Sequence, residues 1–491
     1  MLSLRLTGVL VLASRLHPAS CSTLLSESNT IVLPRSTNED LRTPAQIFLN
    51  CFFTLLLCIW FCGRPNIPVK PPPHKTWYES WLPALGARIR ITIWLLLSPQ
   101  LILVWAVRQW RGATSLKHTY ANQGPGWTRV HGFMMNMGGF VLYKDGRPIQ
   151  ALSRKRFASL LRVAAIEFPW VTEEEITDRG KSSWALVLLF AVQTGWFVVQ
   201  CIARLVKHGR FAVTLLELET WAIVVVSWVI AGVFWEKPLD ARVPIRVDLK
   251  IEMEISKDET PDVAPFFPST WRDSNREETI QKKVLSRIAE EYGLDPEPPR
   301  RKLHLSTFQT IAATLIFPFV WPIARIYMDH LAITCYPKSI NLRALTAPTF
   351  YHTDEKTFAD LGWQRGSEML LGFVGALIGG AHFVLWGSTF PNHSWDLLWR
   401  FSIFSTTAVP GLFFILHLLD ALADRLPPFS LIRRFSQDFF AFALAILGVL
   451  GHLVYAAARV IILVQALVSL TFLTIPNIQT VEWTGYIPHL G

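Results

Sequence analysis

Charge is scarce in this chain. Asp, Glu, Lys and Arg make up 17% of its 491 residues, against 51% apolar residues, 20 Trp and 32 Phe, and the mean hydropathy is +0.31. A soluble chain of this length would divide into several domains with charged surfaces, and this composition does not supply them. Motifs that name a chemistry are missing too. There is no Walker loop, dinucleotide fingerprint, nucleophile elbow or HExxH helix, which argues against the common hydrolases and ATP-driven pumps. The Asp-rich clusters that ionise isoprenoid diphosphates through magnesium are also absent. A cyclase or transferase using scattered carboxylates is not excluded. The six cysteines (21, 51, 58, 62, 201 and 335) contain no CxxC pair, so no disulfide framework is implied. Nothing resembles a basic-aromatic nucleic-acid motif, so the net charge of +10 is read as basic loops facing anionic headgroups. The expected partners are membrane lipids and not nucleic acid. No residue set points to a particular cofactor.

What the chain has in abundance is long apolar runs: 44–63, 88–107, 183–203, 220–236, 307–328, 367–388, 398–419 and 437–476. A bilayer core about 30 Å thick takes roughly 20 apolar residues in helical form, and only helices that satisfy their own backbone cross it repeatedly in one chain. The fold class follows: all-α, a polytopic transmembrane helical bundle with about 7–8 spans and two large hydrophilic loops. The last run is too long for one crossing, since forty helical residues reach about 60 Å. No Gly or Pro near 455–460 offers a hairpin turn. One crossing helix over about 438–457 is expected, continuing as a protruding half that leaves Arg459 near the membrane boundary.

The organisation reads as residues 1–21, an N-terminal extramembrane segment 22–43, a first membrane half 44–236 with a loop at 112–182, a hydrophilic loop 237–306, and a second membrane half 307–491. The segment ending at Cys21 resembles a secretory signal peptide. Arg15 within its apolar centre and the lack of acids before Glu27 also fit a mitochondrial presequence, and an unprocessed tail is the third reading. The compartment expected is the secretory pathway or plasma membrane in preference to the mitochondrion. In the loop 112–182, ALSRKRFASLLRVAAIE is a basic amphipathic helix, either lying in the membrane interface or covering a soluble surface. Gly375 and Gly379 form a GxxxG, and Gly372, Ala376 and Gly380 form a second small-residue ridge, suited to close helix packing within the chain. Cys51, Cys58 and Cys62 share one helix face, as small apolar packing residues; Cys62 at the end of its span is also open to acylation.

Basic residues crowd the loops after the first, third and seventh spans: Arg64, Lys70 and Lys75; Arg204, Lys207 and Arg210; Arg425, Arg433 and Arg434. The positive-inside rule puts all three in the cytosol. The same parity puts the N-terminus outside and Asn392, of the sequon Asn392-His393-Ser394, on the lumenal side as a glycosylation candidate close to the membrane. It also leaves the basic helix at 152–162 outside, away from anionic lipid.

Candidate chemistry is sparse. His417, Asp420 and Asp424, spaced i, i+3, i+7, line one helix face and could hold a divalent metal, although polar residues also mark ordinary helix ends. Groups deeper in the spans are costly to bury and so better suspects: Gln100, His382, His452 and Arg459, with Glu217 and Glu219 at the start of the fourth span. An internal pair of Arg459 with Glu217 is one arrangement. Pro99 breaks the second span's hydrogen-bond ladder, and Gln100 is placed to satisfy the freed carbonyl. His131 and Trp127 stand in a loop, where interface anchoring accounts for the tryptophan.

Several blocks resemble a large family of uncharacterised multi-spanning integral membrane proteins of fungi: Cys51 to Asn66, GWTRVHGFMMNMGGFVL at 126–142, QTGWFVVQCIAR at 193–204, TLLELETWA at 214–222, FWEKPLD at 234–240 and the tail VEWTGYIPHLG. The resemblance runs over nearly the whole chain, and the GWTxxHGF block and the tail are its most specific parts. It implies an integral membrane protein with no established activity. This chain has Gln100 and Gln465 where the family pattern often has a carboxylate, which puts any acid-dependent activity of relatives in doubt here. The leading expectation is a transport-related or structural membrane protein. The alternative is a membrane-embedded enzyme for a lipid or isoprenoid, built on His131 and the His417/Asp420/Asp424 face.

Overall fold

Local sequence signals start and stop the helices. A computed structural model describes residues 41–67, 77–250 with short interruptions, 344–353, 361–423 with one interruption, and 447–481, plus a few residues near 328–340 and 439–444. Helix α1 (Pro44–Cys62) opens on a Thr43–Gln46 capping box with proline at its first turn, which satisfies amide donors that no earlier turn can reach. Helix α2 (Trp77–Leu97) stops at Ser98, and α3 (Pro99–Thr119) starts at once on Pro99. Proline has no N–H and disfavours helical geometry in the residue before it. Ser98 accordingly adopts φ −151° and ψ 71°, and the two helices meet at 119°.

Then follow α4 (Arg129–Asn136), β1 (Phe140–Lys144), β2 (Arg147–Ala151), α5 (Arg154–Arg162) and α6 (Glu173–Asp178). Further on come α7 (Trp184–His208), α8 (Leu215–Val229, extended by a π turn to Phe234), β3 (Ile245–Asp248), α9 (Leu361–Ala381), α10 (His393–Ala423) and α11 (His452–Val468). Among the described residues six helices are long and apolar enough to cross a membrane: α1, α7, α8, α9, α10 and α11 with their extensions, and the bent α2–α3 pair is a seventh candidate. The protein is a multi-span membrane protein by helix length and hydropathy. The α8 span is 61% buried against 22–44% for the other five, so it is the central helix and the others turn Phe52, Val192, Phe404 and similar residues outward.

Side-chain contacts fix which helix ends lie together. At one end, Arg42 before α1 pairs with Glu217 at the start of α8, and Arg204 at the end of α7 joins the same carboxylate. At the other end, the Ile67 amide donates to the Met137 carbonyl at 3.1 Å, and Lys237 after α8 donates to the Arg64 carbonyl at 2.7 Å. Both limbs of α2–α3 open at this second end. Arg90 of α2 donates to Thr349 at 3.1 Å, and Trp105 and Gln109 of α3 donate to the Tyr351 carbonyl at 3.3 and 2.8 Å. The bent pair therefore enters and leaves on one side, as a re-entrant hairpin. The expectation that 88–107 crosses as one span is corrected. So is the parity built on it, which put Arg64 and Lys237 on opposite sides although they touch.

The segment expected as a hydrophilic loop is a packed module at that second end. Its three strands run in the order β2-β1-β3, β2 antiparallel and β3 parallel to β1, which adds a small sheet to the helical architecture. Trp127 is buried and stacked on Phe140 and Phe157; it is a core residue and not an interface anchor. Phe157 and Leu160 of α5 are fully buried in the same cluster, so the basic helix turns its apolar side to protein.

In the second membrane half, α9 and α10 pack through Gly372, Gly375 and Gly379. A Cβ on Gly379 would lie 2.5 Å from the Thr406 carbonyl oxygen, an acceptor that Pro410, four residues on, leaves free in α10. Gly380 meets nothing within 4 Å, so the second ridge continues through Gly372 and through Ala376, whose Cβ lies 3.8 Å from where one on Gly411 would stand. Cys51, Cys58 and Cys62 are buried, free thiols. Among the described residues the long final run supplies a candidate span over its second half, His452–Thr471, while much of 437–446 lies outside them. Arg459 is therefore inside the span and not at its boundary. Residues 1–40, all but the last residue of the run 307–328, most of the loop 237–306, Asp424, Cys335 and the tail from Glu482 lie outside the described residues.

Candidate functional site

The re-entrant break leaves carbonyls pointing into the bundle, because the last residues of a helix have no following amide to bond. Arg459 of α11 fills that gap. Its Nε donates to the Leu97 carbonyl at 3.2 Å and its Nη2 to the Leu96 carbonyl at 3.1 Å. The same guanidinium grips Glu219 of α8 with both ends, at 3.1 and 2.9 Å. His382, at the switch from α9 to a short 3-10 turn, places Nε2 against the Glu219 carboxyl oxygen. Its Nδ1 faces the Ile378 carbonyl at 2.8 Å. All three side chains are at most 3% exposed, and Trp399 of α10 closes over His382.

Polar groups continue to either side. Toward the module end, Gln100 donates to the Tyr455 hydroxyl at 2.6 Å, and one turn further His452 stacks edge-on with His330 at 4.1 Å. In the other direction Gln465 is buried and donates to the Trp395 carbonyl at 2.9 Å. The Gln465 carbonyl and the Ser402 hydroxyl are buried with no partner among the described residues. His452, Tyr455 and Arg459 recur at helical spacing on α11, so the half of this face toward the module is polar, and the buried Ile462 and Ala466 continue it as an apolar face. At the end away from the module, a cavity of about 320 Å³ is lined by Phe211, Thr214, Leu215, Leu385, Phe390 and Ser469, among others. Leu215 and Leu385 lie one turn of helix from Glu219 and His382.

Among the residues singled out from sequence, Gln100, His382, His452 and Arg459 fall along this buried track. Arg459 pairs with Glu219 and not with Glu217, which is held by Arg42 and Arg204. Gln100 donates to Tyr455 and not to a carbonyl of the break, where Arg459 takes those of Leu96 and Leu97. His131 is elsewhere, in the module: its Nδ1 accepts from the Thr128 amide at 3.2 Å and its Nε2 faces the Val171 carbonyl at 2.8 Å. Burial holds its pKa below the ordinary 6.5, so this neutral ring pins the start of α4 to the segment before α6. His417 lies edge-on to Phe413 at 4.6 Å, Asp420 is half-buried on the same helix, and Asp424 is outside the described residues. Among the described residues no three His, Cys, Asp or Glu side chains come together as a metal set. Asn392 is exposed before α10, where its side chain accepts from the Ser394 amide at 3.0 Å.

Tyr455 and Lys237 were not singled out beforehand. The 3–4 spacing from His452 to Tyr455 to Arg459 was the available signal for the tyrosine. Lys237 carried none: it is buried over Trp105, where burial and the neighbouring Arg64 hold its ammonium well below the usual lysine range.

Residues 105–258 match a family of unknown function, DUF8562. The matched part covers α3 from Trp105 on, the module, α7 and α8, and so includes His131 and Glu219. No curated protein and no solved structure matches the chain.

Proposed function

We propose that the protein is a transport-related multi-span membrane protein of the fungal type, with the Glu219–His382–Arg459 cluster as its working centre. One observation carries this reading: a re-entrant helix break, a carboxylate, an imidazole and a guanidinium from separate elements meet inside the bundle. Intramembrane ionisable groups gathered at a discontinuous helix are the usual construction of a substrate or coupling-ion site. His452 and Tyr455 on α11 extend that centre toward the module, and the 320 Å³ cavity lies beyond Leu215 and Leu385 on the other side. The enzyme alternative has less support, because its residues His131 and His417 belong to different packed regions.

The test is accumulation of labelled amino acids, sugars and inorganic ions by vesicles carrying the full chain, under an imposed pH gradient. Uptake above that of empty vesicles is expected, with loss in Glu219→Gln. Equal uptake by loaded and empty vesicles across that set retires the transport reading.

The module end is assigned to the cytosol. Among the described residues it carries Arg64, Arg154, Lys155 and Arg156, in keeping with the positive-inside rule. This moves Arg204–Arg210 outside, brings the basic helix α5 to the anionic leaflet side and keeps Asn392 lumenal. An impermeant maleimide added from the cytosol is expected to label Glu174→Cys and spare Asn392→Cys. The reverse pattern overturns the orientation.

A further inference from the structure

We infer that Glu219 and His382 together form a proton-binding site, and that losing its proton releases the end of α9 from α8. The inference deepens the transport reading by naming the coupling ion, and rests on it for its purpose, though not for its chemistry.

The argument is a count of hydrogen-bond donors. Among the described residues His382 Nδ1 faces two acceptors, the Ile378 carbonyl at 2.8 Å and the Gly379 carbonyl at 3.3 Å, so that nitrogen carries a hydrogen. A neutral imidazole then has a bare lone pair on Nε2. That lone pair would face the Glu219 oxygen, which is itself an acceptor when ionised. The contact is attractive only when one more proton sits between them, on Nε2 as imidazolium or on the carboxyl as acid. Either way, with Arg459 charged, the loaded cluster carries one positive charge.

Its surroundings suit that charge. The carbonyls of Leu96 and Leu97 end α2, and those of Ile378 and Gly379 lie in the last turn of α9. Two helix C-termini, each a partial negative charge, therefore converge on the site. Among the described residues the charged or titratable groups facing Glu219 are His382 from the end of α9 and Arg459 and Tyr455 from α11. The remaining neighbours are Trp399 from α10 and the α2–α3 break.

When the proton leaves as H⁺, the cluster goes from one positive charge to none. Glu219 stays bound to Arg459 as carboxylate, and two lone pairs are left face to face. His382 must then turn away, and it sits where α9 tightens into a 3-10 turn, a common place for a hinge. The adjoining cavity, separated from the pair by Leu215 and Leu385, is the route for exchange with water.

The experiment is pH-titrated difference infrared spectroscopy of the full chain in lipid nanodiscs, with carbon-13 glutamate and nitrogen-15 histidine labelling in separate samples. A titrating band that shifts with one of the labels and vanishes in Glu219→Gln is expected. Glutamine matches the size and charge of the protonated acid and, by giving up the bond that Arg459 Nη1 makes to the same atom, donates to the neutral His382 and should hold α9 in place at every pH. If Glu219→Gln does not fold, the same band must vanish in His382→Gln. Wild-type and variant spectra that superimpose between about pH 4 and about pH 10, where carboxyl and imidazole groups titrate, overturn the proposal. The spectra read the site and the vesicle assay reads flux, so the two ideas fail separately.

Discussion

Arg459→Met is expected to destabilise the bundle by about 3–5 kcal/mol, because it leaves the Glu219 carboxylate buried without its main partner. Glu219→Leu alone should cost a similar amount by stranding the guanidinium. The double variant Arg459→Met with Glu219→Leu should recover most of that loss, since replacing both members of a buried pair by apolar side chains of similar volume is often neutral or stabilising. The α2 carbonyls at Leu96 and Leu97 would lose their donor, so recovery should be incomplete by about 1–3 kcal/mol. Thermal unfolding of the full chain in nanodiscs measures all three, and single variants as stable as the double would show that the pair is not coupled. If the pair were only a structural pin, the recovered double variant would also keep vesicle uptake. The transport reading expects stability without uptake.

Gly379→Ala is expected to destabilise the α9–α10 contact by about 1–3 kcal/mol or more, because its methyl group meets backbone that no rotamer change can move. The obstacle is the Thr406 carbonyl, 2.5 Å from where the Cβ would stand. Gly380→Ala, one residue along, faces open space and should be neutral or stabilising by up to about 1 kcal/mol, the helix preference of alanine over glycine. Opposite signs at adjacent glycines distinguish backbone contact from general helix propensity. Equal effects would mean that the interface is not seated on Gly379. Because His382 follows three residues later, pushing α9 off α10 should also weaken the Glu219 contact and uptake along with stability.

The two glycines show how far sequence reasoning reached. Small residues at four-residue spacing announce a tight helix contact, and the contact exists. The spacing allowed two ridges, and only the partner helix, with Pro410 and Thr406 at the contact, decides that Gly372, Gly375 and Gly379 face it while Gly380 does not. Pro99 was equally legible as a break, yet a proline in a span permits a mild kink or a full reversal. The contacts of Arg90, Trp105 and Gln109 with residues 349–351 made it a reversal, and no local pattern encodes that long-range docking.

Charge followed the same division. The scarcity of charged residues and the length of the apolar runs determined by themselves that the chain crosses a membrane several times, because hydrocarbon admits little else. The cost of burying Arg459, His382 and Glu219 in such runs also marked them as residues needing partners. Which partner each takes was left to the tertiary structure. Glu217 and Glu219 are two residues apart on one helix and so point to different neighbours: one to Arg42 and Arg204 at the end away from the module, the other to Arg459 and His382 in the bundle. Helical periodicity sets that divergence, but the positions of α7, α9 and α11 around α8 decide what each carboxylate meets.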